Sequence, residues 1–229
     1  MDLSPIRPRR STLIFGGSFD PVHQGHVALA QHFIDLLKVD ELRLIPTGQP
    51  WQKAKLKASA QQRVTMLELA FADIKEVPVF IDRQEIERAE QHIASFTVDT
   101  LTNLRSQLGN ENALILLIGA DQFHNFATWK NWQAIFKLAH IVVAARPGYN
   151  LQNDDLPSEF ANLWQQAQSS IDEFKQCCFG KTYLDTELAW DISATRIRDE
   201  LQQLGQTLQT TSLIPCKVLD YIQTQKIYD

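Results

Sequence analysis

The run ALILLIG, Ala113 to Gly119, is the most continuous apolar stretch in the chain. With no polar face to turn towards water, it fits a strand covered on both sides, as central strands of parallel sheets are. Shorter β-rich runs lie before and after it: TLIF (Thr12 to Phe15), ELRLIP (Glu41 to Pro46), VPVFID (Val77 to Asp82), a strand from His140 to Ala145, and TYL (Thr182 to Leu184). Between them apolar residues recur at helical spacing. The periodicity predicts helices over Gln24–Lys38, Val64–Phe71, Thr97–Leu108, Phe123–Leu138 and Phe160–Gln168, then Ala194–Leu204 and Pro215–Gln225. Strands alternating with helices give right-handed βαβ units. The expected fold is α/β: a doubly wound, mostly parallel sheet with helices on both faces and a small C-terminal helical part. Such sheets bind ligands beyond the carboxyl ends of their strands.

The 229 residues suit one domain over 1–229, with an α/β core over about 12–185 and C-terminal helices over about 186–229. A formal charge of −5 argues against a broad nucleic-acid or anionic-membrane surface. The basic RPRR (Arg7 to Arg10) reads as a solvated terminus. Cys177, Cys178 and Cys216 form no disulfide framework, and neither a leader nor a membrane-length apolar run is evident. The expected setting is cytoplasmic, with a homo-oligomer left open.

Directly after the first strand comes GGSFDPVHQGH, Gly16 to His26. Glycines at a strand end allow a sharp turn and close approach of a ligand. The turn feeds a helix whose free N–H groups favour an anion. His23 and His26, three apart, share a face of that helix start. No third ligand lies nearby in sequence, so they make a poor transition-metal pair. Two readings remain for them: hydrogen-bonded core histidines, or donors to phosphate oxygens. Near the other end, ISATRIRDEL (Ile192 to Leu201) sets Ser193 and Thr195 at a helix start with Arg198 one turn on. That is either a plain cap or an anion site completed by a guanidinium fork.

Together these two stretches resemble the signature segments of the nucleotidyltransferase superfamily with the His-x-Gly-His motif, and the first is most similar to its form in bacterial nicotinate mononucleotide adenylyltransferases. The second resembles Ile-Ser-Ser-Thr-x-Ile-Arg, with Ala194 in place of a serine. In the middle of the chain, SFTVDTL (Ser95 to Leu101) resembles Ser-Tyr-Thr-x-x-Thr-Leu with Phe96 for tyrosine, IGADQFHNFATWKNW (Ile118 to Trp132) resembles the Gly-x-Asp and Thr-Trp segment, and RPG (Arg146 to Gly148) matches a further landmark. One departure is QPWQK, Gln49 to Lys53, where the family often carries Pro-Pro-His-Lys: Gln52 stands at the histidine position. Lys53, Lys55 and Lys57 are then either a solvated loop or a flap over phosphates.

The resemblance implies a Rossmann-like fold and transfer of AMP from ATP to nicotinate mononucleotide, giving deamido-NAD and pyrophosphate. It implies ATP contacts from Gly16, Gly17, Ser18, Phe19, His23, His26, Ser193, Thr195 and Arg198, with His23, His26 and Arg198 catalytic. For the pyridine nucleotide it implies Lys53, Thr97, Asp121, Trp129, Lys130 and Arg146. Trp129 would stack on the ring, unless it is a core aromatic as Trp132 is expected to be. Asp121 suits ribose hydroxyls or a helix N-cap. Mg²⁺ would arrive on the nucleotide phosphates rather than on protein side chains. Rival readings are another acceptor, such as nicotinamide mononucleotide or pantetheine phosphate, and a nucleotide-binding regulator without turnover.

Overall fold

The computed structural model describes residues 10–48, 56–145, 156–187, 194–204 and 212–228. Six strands form one sheet: β1 (Ser11–Gly17), β2 (Glu41–Pro46), β3 (Val79–Ile81), β4 (Ala113–Gly119), β5 (His140–Ala144) and β6 (Thr182–Asp185). Their order is β3-β2-β1-β4-β5-β6, and every pairing is parallel. The order reverses at β1, which pairs with β2 on one side and β4 on the other. A ligand crevice is expected at that reversal, beyond the strands' carboxyl ends.

Strand side chains alternate between two cores, which explains the absence of a polar face. Leu13, Phe15, Leu42, Leu44, Ile115 and Leu117 point to one core; Ile14, Ile45, Leu114, Leu116 and Ile118 point to the other. The first core is covered by α1 (Gln24–Leu37), α2 (Ala60–Phe71) and residues from α9 (Ala194–Leu204) and α10 (Cys216–Thr224). The second takes in α4 (Thr97–Leu108), the short helices α5 (Ala120–His124) and α6 (Trp132–Ile135), and α7 (Ser158–Ala167). Two further short helices are α3 (Gln84–Glu90) and α8 (Ile171–Phe174).

Two sequence expectations need correction. The aromatic stretch over 123–138 is not one helix: α5 stops at Asn125, a 3₁₀ turn follows at Phe126–Thr128, and Asn131 takes a left-handed φ of 49° before α6. Aromatics at near-helical spacing pack just as well from this broken path: Phe123, Phe126, Trp132 and Phe136 all enter the second core. The start of α2 lies four residues earlier than the apolar pattern suggests. Ser59 and Gln62 cap it reciprocally, Gln62 N–H on Ser59 Oγ at 3.2 Å and Ser59 N–H on Gln62 Oε1 at 2.8 Å.

The fully buried His140 in β5 is satisfied as a neutral ring. Nδ1 accepts the Lys181 N–H at 3.1 Å, and Nε2 donates to the Cys177 carbonyl at 3.1 Å. Burial lowers its pKa from 6.5 to about 4, and does the same to His23. Both groups bind protons more weakly in the folded chain, so the unfolded chain takes up protons first. Their contribution is full above about pH 6.5 and is lost as pH falls towards 4, by up to about 3 kcal/mol each. Urea unfolding followed over that window is expected to show falling stability on acidification, with a shallower slope in His140→Gln. An unchanged slope in that variant would show that His140 is not the titrating group.

Candidate active site

β1 ends in Gly16 and Gly17, and the backbone then doubles back through Phe19, whose φ is 48°. A left-handed phenylalanine is disfavoured. It is held here because its ring fills the first core and meets Phe15 and His26 at centroid distances of 5.5 and 5.0 Å. The same ring explains Gly17: a Cβ there would lie 3.0 Å from the ring edge.

α1 begins immediately afterwards, with His23 at its N-cap. The His23 and His26 rings stack at 3.7 Å, so the structure brings the two histidines together. His26 Nδ1 accepts the His23 N–H at 3.2 Å. An imidazole accepting at Nδ1 carries its proton on Nε2, which fixes His26 as an Nε2–H donor when neutral. His23 is 7% exposed and its Nδ1 is buried without a hydrogen-bond partner among the described residues. With a pKa near 4 it is a neutral ring at neutral pH, so the positive charge expected of a phosphate site does not come from His23 in this state.

A fixed positive charge reaches this turn from the far end of the chain. Arg198, on α9, donates from Nη1 to the Asp20 carbonyl at 2.5 Å and from Nη2 to Thr195 Oγ1 at 3.1 Å. The two signature stretches, 178 residues apart at this bond, therefore meet over one loop. Ser193 lies outside the described residues, as do Lys53, Arg146 and the loop over 49–55.

Of the pyridine-side candidates, Thr97, Trp129 and Lys130 lie together beside the second core. Lys130 Nζ lies 3.3 Å from Asp99 Oδ2 and 4.3 Å above the Phe96 ring, which ties the 129–130 turn to the start of α4, where Thr97 is the first residue. Trp129 is half-buried and stacks on Phe126 at 4.9 Å, whereas Trp132 is buried in the core. Asp121 is exposed and is not the N-cap of α5; Gly119 holds that position, at the end of β4. The cap reading of Asp121 is thus overturned.

Sequence reasoning missed the groups that hold the site together. Arg63, on α2 and 1% exposed, donates to the Ser18 carbonyl at 2.9 Å and the Thr47 carbonyl at 2.7 Å, bolting the ends of β1 and β2 to each other. Burial lowers its pKa, opposed by Asp20 and Tyr228. Gly48 lets α3 approach the loop after β2: a Cβ there would fall 2.2 Å from the Glu85 carbonyl oxygen. No pattern marks Arg63 as buried, because it sits beside an apolar stripe like any solvated arginine.

Among the described residues no group of three or more His, Cys, Asp or Glu could hold a metal ion. The converging groups are N–H donors and a guanidinium, which suit phosphate oxygens rather than a hard cation. No helix among the described residues is long and apolar enough to cross a membrane.

The sequence model of the Cytidylyltransferase-like family matches residues 14–200. Relatives carrying the name "Probable nicotinate-nucleotide adenylyltransferase" include one from Herminiimonas arsenicoxydans, 45% identical over 96% of this chain and 97% of its own length. Another, from Dechloromonas aromatica, is 40% identical over 94% of this chain and 96% of its own length. Among solved structures, the Plasmodium falciparum nicotinic acid mononucleotide adenylyltransferase complexed with NaAD superposes with a TM-score of 0.72 at 17% identity, covering 96% of this chain and 98% of that one.

Proposed function

This chain belongs to the Cytidylyltransferase-like family, among its nicotinate-nucleotide adenylyltransferases, and we propose that it transfers AMP from ATP to nicotinate mononucleotide, giving deamido-NAD and pyrophosphate. The observation that carries the site assignment is the meeting of Arg198 with the Asp20 carbonyl beside the stacked His23–His26 pair. It sets a fixed cation and an Nε2–H donor around one turn.

In the reaction an acceptor phosphate oxygen forms a bond to the α-phosphorus while the bond to the β-phosphate bridging oxygen breaks. The attacking oxygen is already ionised near neutral pH, so no general base is needed, and catalysis rests on positioning and charge stabilisation. The Gly16–Phe19 backbone and His23 receive the triphosphate. Nε2–H of His26 donates to the α-phosphate as negative charge builds there. Arg198 and Thr195, with Ser193, take the departing pyrophosphate. Bound to the nucleotide phosphates, Mg²⁺ would neutralise part of their charge. On the other side of the crevice Trp129 stacks on the pyridine ring, and backbone amides at Thr97 and Lys130 meet its carboxylate. Asp121, Lys53 and Arg146 complete the acceptor side. We assign the whole chain to one domain, since α9 and α10 contribute Ile197, Val218 and Ile222 to the same core as β1. A cytoplasmic setting accords with three free cysteines.

The test is pyrophosphate release with Mg-ATP and, in turn, nicotinate mononucleotide, nicotinamide mononucleotide and pantetheine phosphate. Strong preference for the acid is expected, and Trp129→Ala is expected to raise KM for the acceptor about 10-fold, from a stacking loss of roughly 1–3 kcal/mol, with KM for ATP unchanged. Turnover with another acceptor alone would overturn the substrate. ATP binding without pyrophosphate release would make the chain a nucleotide-binding regulator.

A further inference from the structure

Asp20 sits where four segments of the chain meet, and its side chain is 3% exposed. Oδ2 accepts the Lys57 N–H at 2.8 Å, and Oδ1 accepts the Ala58 N–H at 3.0 Å, which ties down the residues leading into α2. Oδ1 also accepts the hydroxyl of Tyr228 at 2.7 Å. The carbonyl of the same residue receives Arg198. One residue thus couples the first signature loop, the approach to α2, the second signature helix and the C-terminal turn.

Tyr228 is built for this bond. It is 6% exposed and lies beyond α10, in a turn where Ile227 N–H donates to the Ile222 carbonyl at 3.0 Å. Its φ of 77° is left-handed, a conformation that costs a non-glycine residue roughly 1–2 kcal/mol. The buried ring and the hydroxyl bond to Asp20 offset that cost. Burial, reinforced by the Asp20 carboxylate, pushes the phenol's ionisation up, so the hydroxyl stays a donor at any working pH.

We propose that Tyr228 is a positioning residue for AMP transfer: through Asp20 it keeps the Gly16–His26 loop and Arg198 in one register around the nucleotide phosphates. This rests on the adenylyl-transfer reading above. Tyr228, Phe19, Val22 and Ile197 share the first core, whereas Phe96 and Trp129 pack on the second. The effect of losing the hydroxyl therefore falls on the ATP side alone.

The experiment compares wild type with Tyr228→Phe, which keeps the ring and removes the donor. Expected are a fall in kcat of about 10-fold, a several-fold rise in KM for ATP and in the ATP Kd by calorimetry, and a KM for nicotinate mononucleotide within twofold of wild type. Wild-type kinetics and ATP affinity in the variant, with or without a lower Tm, would reduce the bond to a structural one and overturn the proposal. An equal rise in both KM values would overturn it too. A wild-type protein that binds ATP but transfers nothing overturns the functional reading instead; the calorimetric comparison then still decides whether Tyr228 acts on the ATP site.

Discussion

His26→Ala is expected to lower kcat for AMP transfer by about 10²–10³-fold, the range for losing one well-placed donor to a transition-state oxyanion. The same change also removes the acceptor for the His23 N–H, held at 3.2 Å, so part of the N-terminal cap of α1 goes with it. A cap of this kind contributes about 1 kcal/mol. Tm therefore falls by a few degrees in the alanine variant, which alone would leave the cause ambiguous. His26→Asn separates the two effects. Asparagine Oδ1 can take the place of Nδ1 as acceptor, but nothing in its side chain reaches as far as Nε2. The expected result is a near-native Tm with kcat as low as in the alanine variant, measured by steady-state pyrophosphate release. Asparagine restoring activity along with stability would show that the ring acts only as a cap.

Arg63→Met is expected to cost about 2–3 kcal/mol, from two carbonyls losing their donor in a part-buried setting and from the buried Asp20 carboxylate losing a compensating charge. In a chain of this size that is a Tm lower by roughly 5–10 °C. Activity should fall as well, through a higher KM for ATP, because the Ser18 and Thr47 carbonyls lie just past the ends of β1 and β2, beside the first signature loop. Arg63→Lys tests geometry against charge. A single ammonium keeps the charge but cannot reproduce a fork onto two separate carbonyls, so it should recover part of the stability and little of the ATP affinity. Thermal unfolding and ATP titration check both variants. Wild-type ATP affinity in Arg63→Met would confine Arg63 to stability.

How much of this was legible from residues follows from what each feature depends on. The sheet was readable because both-face burial leaves strands without a polar side, as ALILLIG shows. The two signature stretches were readable because glycines, histidines and caps at fixed offsets are local features. The short α3 was not, because QEIERAE buries only Gln84 and Ile86 and leans on α4: Arg88 donates to Thr100 Oγ1, and Thr100 Oγ1 donates to Glu85 Oε1. The break at 125–131 depends on Asn131 entering a left-handed turn, which composition does not announce. Arg63, Asp20 and Tyr228 owe their roles to partners 16 to 208 residues away, and no periodicity reports such distances. The residues left His23 open between a core histidine and a phosphate donor, because the burial that lowers its pKa to about 4 is set by how deeply the turn is packed.

The reversal of strand order at β1 has an evolutionary consequence. In the proposed reading the ATP-facing groups hang on the end of β1, on α1 and on α9, the two helices packing on the first core, while the acceptor-facing groups hang on α4 and the turn at 129–130, which pack on the second. Substitutions that retune the choice of acceptor can accumulate on one side of the crest without disturbing the transfer machinery on the other. An inhibitor that bridges the crest would have to be evaded on both sides at once.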